Sequence, residues 1–171
     1  GSYALASWDA YKNSAETDLT LDYTFQAGKR LAMSAGFILY GWYFADNFNR
    51  EDNTSREIYV RAGLTDCALQ PLLSAYYDFG NGDGLYISLS GNHVIHVSQT
   101  QDVIIGLSLG YNGGQWLPEN ADTGLSHVQA RLAFPLSLNG IEITPSAAYA
   151  HVLLESVNRE SEVWFGISLG N

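Results

Sequence analysis

The side chains best able to do chemistry in this 171-residue chain are four histidines, a lone cysteine and a scatter of serines and carboxylates. Ser126-His127, with His93, His151 and Asp78, would supply the hydroxyl, imidazole and carboxylate that acyl transfer needs. Neighbouring residues of a strand point to opposite faces, however, so Ser126 and His127 are expected apart, and no nucleophile elbow is present. His93 and His96 do not form a metal set, and the loop acids Glu51, Asp52, Glu119 and Asp122 amount at most to weak Ca²⁺ ligands. The run Gly80-Asn81-Gly82-Asp83-Gly84 has the glycines of a phosphate loop but lacks the Lys-Ser/Thr pair and the following helix, so it reads as a hairpin turn. Cys67 alone can build neither a disulfide framework nor a zinc site. The expectation is a protein that is not an enzyme and carries no metal or cofactor.

Eight basic against 18 acidic side chains give a net charge of −10, the wrong sign for displacing counterions from nucleic acid. No apolar run approaches the 18 residues of a membrane helix, and no basic-then-apolar segment reads as a retained signal peptide. Mean hydropathy is −0.06 although the chain holds 4 Trp, 11 Tyr and 7 Phe. Near-neutral hydropathy with many aromatics fits strands that alternate apolar and polar residues, in which a window average hides an apolar face.

The segment 124–151 carries that pattern most clearly. Val128, Ala130, Leu132 and Phe134 alternate with Gln129, Arg131 and Ala133. Asn139-Gly140, a strong hairpin signal, then turns the chain into Ile141, Ile143, Pro145, Ala147 and Tyr149. The same alternation marks strands over 3–11, 18–26, 31–44, 57–64, 72–79, 85–94, 103–111 and 162–170. That makes ten candidates with no helix, each near the ~9 to 11 residues a tilted strand needs to cross a bilayer. The connections alternate too: 12–17, 45–55, 80–84, 112–123 and 154–161 at one end, the shorter 27–29, 65–70, 96–101 and 137–140 at the other. Long loops opposite short turns predict a single domain over 1–171, an all-β antiparallel up-and-down transmembrane β-barrel of the bacterial outer membrane. Trp8, Tyr43, Phe44, Tyr77, Phe79, Tyr111, Tyr149 and Phe165 fall near the long-loop ends, where an aromatic girdle belongs, and Phe25 and Phe134 near the short turns.

With the apolar face turned to lipid, the opposite face carries Asp22, Glu57, Arg61, Asp78, Arg131 and Glu142 into the lumen. Such charges on a low-dielectric wall would bias solute entry and make a small passive porin or channel mildly cation-selective. The alternative is a lumen filled by mutually paired charges with Tyr40, Tyr59, Tyr76 and Tyr86, a non-conducting barrel whose long loops bind a partner or ligand. A soluble lipocalin-type barrel would put its polar residues outside and its apolar residues in the calyx.

The phrases PLLSAYYDFGNGDGLYISLSGNH (71–93), LSLGYN (107–112) and LSHVQARLAFPLSLNGIEITPSAAYAHVL (125–153) resemble a group of small Gram-negative outer-membrane barrels, the TorF-like porins. The resemblance extends over roughly 19–169 and consists of barrel grammar rather than a catalytic signature. It implies outer-membrane location, contact with membrane lipid and lipopolysaccharide, and small polar solutes as cargo; it names no oligomeric state. Two departures stand out. Relatives of this kind commonly begin with a further hairpin, which would raise the count to twelve strands, and many outer-membrane barrels end on an aromatic residue where this chain ends Gly170-Asn171.

Overall fold

The computed structural model describes residues 2–11, 14–44, 54–157 and 160–170, with side chains over 17–41, 54–157 and 160–170. Every regular element among them is a strand: β1 (Ser2–Tyr11), β2 (Ser14–Gln26), β3 (Leu31–Phe44), β4 (Thr54–Leu64), β5 (Leu72–Asp78), β6 (Gly84–His96), β7 (Asp102–Gly113), β8 (Gly124–Ala133), β9 (Leu136–Leu138), β10 (Ile141–Val152) and β11 (Glu162–Gly170). They form one antiparallel sheet in which neighbours in sequence are neighbours in space, from β1 through β8 to β10 and β11. The three-residue β9 continues β8. The register that pairs Ala133 with Ser146 pairs Leu136 with Ile143, so no residue is gained or lost between them. What interrupts the ladder is Pro135 opposite Thr144 and Pro145 opposite Phe134, each lacking an N–H to donate. Phe134 N–H still reaches the Pro145 carbonyl at 3.0 Å.

The ten expected strands are all present. The Asn-Gly turn is formed with φ of 52° at Asn139 and 84° at Gly140, the doubly left-handed backbone a two-residue hairpin needs. Several boundaries move outward. Tyr11 pairs with Ser14, so the expected 12–17 loop shrinks to two residues; β4 starts at Thr54, and β7 runs to Gly113. Strand pairing is a backbone property, and it continues past the point where side chains stop alternating in polarity.

The two faces of the sheet are inverted relative to a water-soluble protein. Leu21 (59% exposed), Val60 (56%) and Leu107 (60%) project into the surroundings, as do Leu19, Ile58, Ile105, Val128, Leu132 and Ile167. Asp22 (1%), Glu57 (3%) and Asp78 (0%) are buried with Ser55, Ser74, Ser126 and Thr144. The core therefore lies on the polar face, where Ile38, Tyr59, Ala133 and Ala148 are the buried hydrophobic residues among those described. β1 and β11 end the strand path, and no pairing joins them among the described residues.

One irregularity changes which residues meet. Between β7 and β8, Gly110 pairs with His127 but Tyr111 pairs with Leu125, leaving Ser126 as an extra residue. This bulge breaks the alternation, so Ser126 and His127 face the same way and Ser126 Oγ lies 3.1 Å from His127 Nδ1. The expectation that the pair would be split is corrected.

Candidate functional site

The polar face is organised by one register row. Asp22 on β2 pairs with Gly36 on β3, then Tyr59, Tyr76, Tyr86 and Asn112 follow on successive strands. Gly36 leaves the space over which Tyr59 lies. A Cβ at this position would overlap the phenol ring, so Tyr59 crosses β3 and donates to Asp22 Oδ2 at 2.6 Å. Thr24 donates to the other oxygen at 2.6 Å. The row continues as ring contacts, Tyr59 to Tyr76 at 5.6 Å, Tyr76 to Tyr86 at 6.0 Å and Tyr86 to His127 at 6.2 Å. Arg61 lies against this row, its guanidinium 4.2 Å from the Tyr59 ring centre and its Nε donating to Tyr76 Oη at 3.2 Å. Cation–π contact and a phenolic acceptor thus hold the charge the sequence placed there.

At the long-loop end the two remaining buried acids do different jobs. Asp78 Oδ1 accepts from Ser55 Oγ at 2.5 Å, Gly80 N–H at 2.8 Å and Gly82 N–H at 3.2 Å, so this carboxylate shapes the β5–β6 turn. Glu57, its register partner, accepts from Tyr40 Oη at 3.1 Å and from Gln115 Nε2. Gln115 arrives from the connection after β7. Asn112 Nδ2 donates to the Gln115 carbonyl at 2.9 Å, and Trp116 N–H donates to the Gly82 carbonyl at 2.8 Å. That connection is therefore folded onto the polar face and pinned to the β5–β6 turn. Beside it an open cleft of about 480 Å³ is lined by Tyr40, Glu57, Tyr76, Tyr86, Gln115 and Trp116, among others.

The other two expected lumen charges stand apart from this cluster. Arg131 on β8 lines a smaller cleft of about 190 Å³ with Ser90, Asn92, Gly106, Ser108 and Gln129, and its Nε is buried without a hydrogen-bond acceptor. Glu142 is exposed beside the Asn139-Gly140 turn, where its Oε1 accepts from Thr144 Oγ1 at 3.3 Å. Six expected charges thus resolve into an acidic aromatic cluster with Arg61, a separate arginine, and a carboxylate at the short-turn end.

Of the expected girdle, Tyr77, Phe79, Tyr111, Tyr149 and Phe165 are exposed on the apolar face. The side chains of Trp8, Tyr43 and Phe44 lie outside the described residues, as do Glu51 and Asp52. No group of three His, Cys, Asp or Glu residues able to hold a metal occurs among the described residues. Ser126 is 1% exposed, and its backbone carbonyl accepts from Leu153 N–H at 2.8 Å. Its hydroxyl is packed away in a bulge rather than presented to a substrate. Gln115, Gly36 and Ser55 were missed from the sequence. A glycine inside a strand is the one signal that could have flagged Gly36 as a close-approach site.

The chain matches no protein-family model, and no curated protein is similar enough to count as a relative.

Proposed function

We propose that the sheet closes on itself as a transmembrane β-barrel in a bacterial outer membrane, with lipid and lipopolysaccharide against its apolar face. On this reading the polar interior forms a narrow passive channel for small polar solutes. The observation that carries it is the inversion of faces. A sheet that exposes Leu21, Val60 and Leu107 while burying Asp22, Glu57 and Asp78 is costly in water and suited to hydrocarbon. Closure would also remove the unpaired edges of β1 and β11, which a membrane does not tolerate.

A second reading, the non-conducting barrel that presents its long loops to a partner, is favoured by two specific features. The Gln115–Glu57 hydrogen bond and the Tyr59–Tyr76–Tyr86 row crowd the interior near the long-loop end. Single-channel recording of the refolded protein in a planar bilayer decides between them. Conductance in the parent supports the channel, and conductance only in Gln115→Ala supports a channel closed by the post-β7 connection. Silence in both supports the non-conducting scaffold. Failure to insert into lipid at all, with solubility free of detergent, would overturn the membrane reading.

A further inference from the structure

The buried acids Asp22, Glu57 and Asp78 sit on β2, β4 and β5, whereas Arg131 sits on β8 with a different set of neighbours. Its register partners are Gly106 on β7 and Ala148 on β10, with Asn92 beyond Gly106 on β6. Two small residues therefore flank the arginine on the adjacent strands, with Asn92 beyond one and Trp164 beyond the other. The row on one side is Ser90, Ser108, Gln129 and Ala150; the row on the other is Val94, Ile104, Ala133 and Ser146. The first row meets one acid, Glu162, beyond Ala150 on β11; the second meets none. Glu142 is six residues from Ala148 along β10, about 20 Å at the rise of a strand. Asp102 is paired with His96 at 2.7 Å. Glu162, on the same face, lies two strands from Gln129 and is exposed. Arg131 makes no ion pair with any described residue, and its Nε is shut from water with no acceptor. That Nε is a donor without an acceptor, which is costly for a buried nitrogen, while the half-buried side chain as a whole lines the cleft.

We infer that Arg131 anchors a subsite for a small carboxylate solute, with Asn92, Gln129, Ser90 and Ser108 as neutral partners around it. The inference rests on the reading of the polar face as a water-bearing interior. The planar guanidinium fork matches a carboxylate better than it matches a spherical anion, and the amide and hydroxyl groups add donors without opposing charge. The cleft of about 190 Å³ suits a ligand of few atoms, holding about six waters at roughly 30 Å³ each. Gly106 lets Asn92 lie over β7 on the Arg131 row: a Cβ there would stand 2.7 Å from Asn92 Oδ1 and 3.6 Å from Arg131 Cβ. Acids on one wall and an uncompensated arginine on another would let one interior pass cations while holding a carboxylate at a defined point.

The test uses the full chain refolded in detergent micelles with ¹⁵N-labelled arginine. An Nε–H shielded from water exchanges slowly enough to be followed by NMR, and the Arg131 signal is assigned by its loss in Arg131→Lys. Sodium acetate, sodium phosphate and sodium chloride are titrated at constant ionic strength. The expected result is a saturable acetate shift at least about tenfold tighter than chloride, weakened severalfold in Gly106→Ala, which leaves every charge in place; in Arg131→Gln, which lacks the reporting signal, acetate binding followed by titration calorimetry should be lost. If Arg131→Gln does not fold, the parent and Gly106→Ala titrations still decide. A shift that is linear and equal for the three salts would overturn the subsite, and preference for phosphate would overturn its assignment to carboxylates. Acetate binding without bilayer conductance would keep the subsite and reject the channel; conductance without acetate binding would do the reverse.

Discussion

Alanine at Gly36 is the sharpest perturbation the fold offers, because it acts through a ring that crosses from the strand on one side to a carboxylate on the other. The new methyl would overlap the Tyr59 ring and approach the Leu21 carbonyl, so the ring must leave its place across β3. Leaving breaks the Tyr59–Asp22 hydrogen bond of 2.6 Å and deprives a carboxylate that is only 1% exposed of one donor. A hydrogen bond to a charged group contributes about 1.5 to 3 kcal/mol, and overpacking a closed site costs about 1 to 3 kcal/mol. Alanine regains roughly 0.5 to 1 kcal/mol over glycine in a strand interior, which leaves a net loss of about 2 to 5 kcal/mol. Tyr59→Phe, which removes only the hydroxyl, should cost about 1.5 to 3 kcal/mol. The assay is urea unfolding in phospholipid vesicles, followed by tryptophan fluorescence, on the parent, Gly36→Ala, Tyr59→Ala and the double variant. Without the ring the methyl has less to displace, so the two substitutions should couple by at least about 1.5 kcal/mol, outside the range seen for independent sites. Additivity within about 0.5 kcal/mol would refute the argument and assign the cost of Gly36→Ala to the Leu21 carbonyl instead.

On the proposed membrane reading, arginine at Leu107, on the apolar face, should destabilise the protein by about 2 to 4 kcal/mol if it sits near the bilayer midplane; Ser108→Arg, one residue on and on the polar face, should cost far less in the same unfolding assay. Asp78→Ala removes the acceptor shared by Ser55 and two turn amides, so a loss of roughly 3 kcal/mol is expected, with hydrogen exchange at Gly80 and Gly82 accelerated more than at Gly140. Replacing Gly140, at φ 84°, by alanine should cost about 1 kcal/mol through left-handed strain, and an unchanged urea midpoint would argue against the two-residue turn. Neutralising Glu57 should lower the cation-to-anion permeability ratio of any conducting form, whereas Glu142→Gln, exposed at the far end, should leave it nearly unchanged in reversal-potential measurements.

Much of this protein was legible in its residues taken in order. Leu19, Leu21, Tyr23 and Phe25 against Asp18, Thr20, Asp22 and Thr24 state both the strand and its two faces, because a period of two admits no other reading over that length. Asn139-Gly140 states the hairpin, since few residue pairs tolerate two left-handed positions in succession. Strand order also followed, because short connections can only join antiparallel neighbours. The sites were less legible. Parity along the strands placed Glu57, Asp78 and Arg61 on one face, but it could not distinguish an acid that shapes a turn from one that holds a loop. That distinction depends on Gly80, Gly82 and Gln115, which approach through connections that have no period to read. The bulge at Ser126 defeats parity outright: one extra residue turns Ser126 and His127 to the same side, and nothing in their identities announces it. Alternation is a local property of a single strand, so the sequence by itself determined the strands, their faces and their order. Which polar groups meet is set by register across several strands, from Asp22 over Gly36 to Tyr59, and by where a loop lies down; only the tertiary structure decided that.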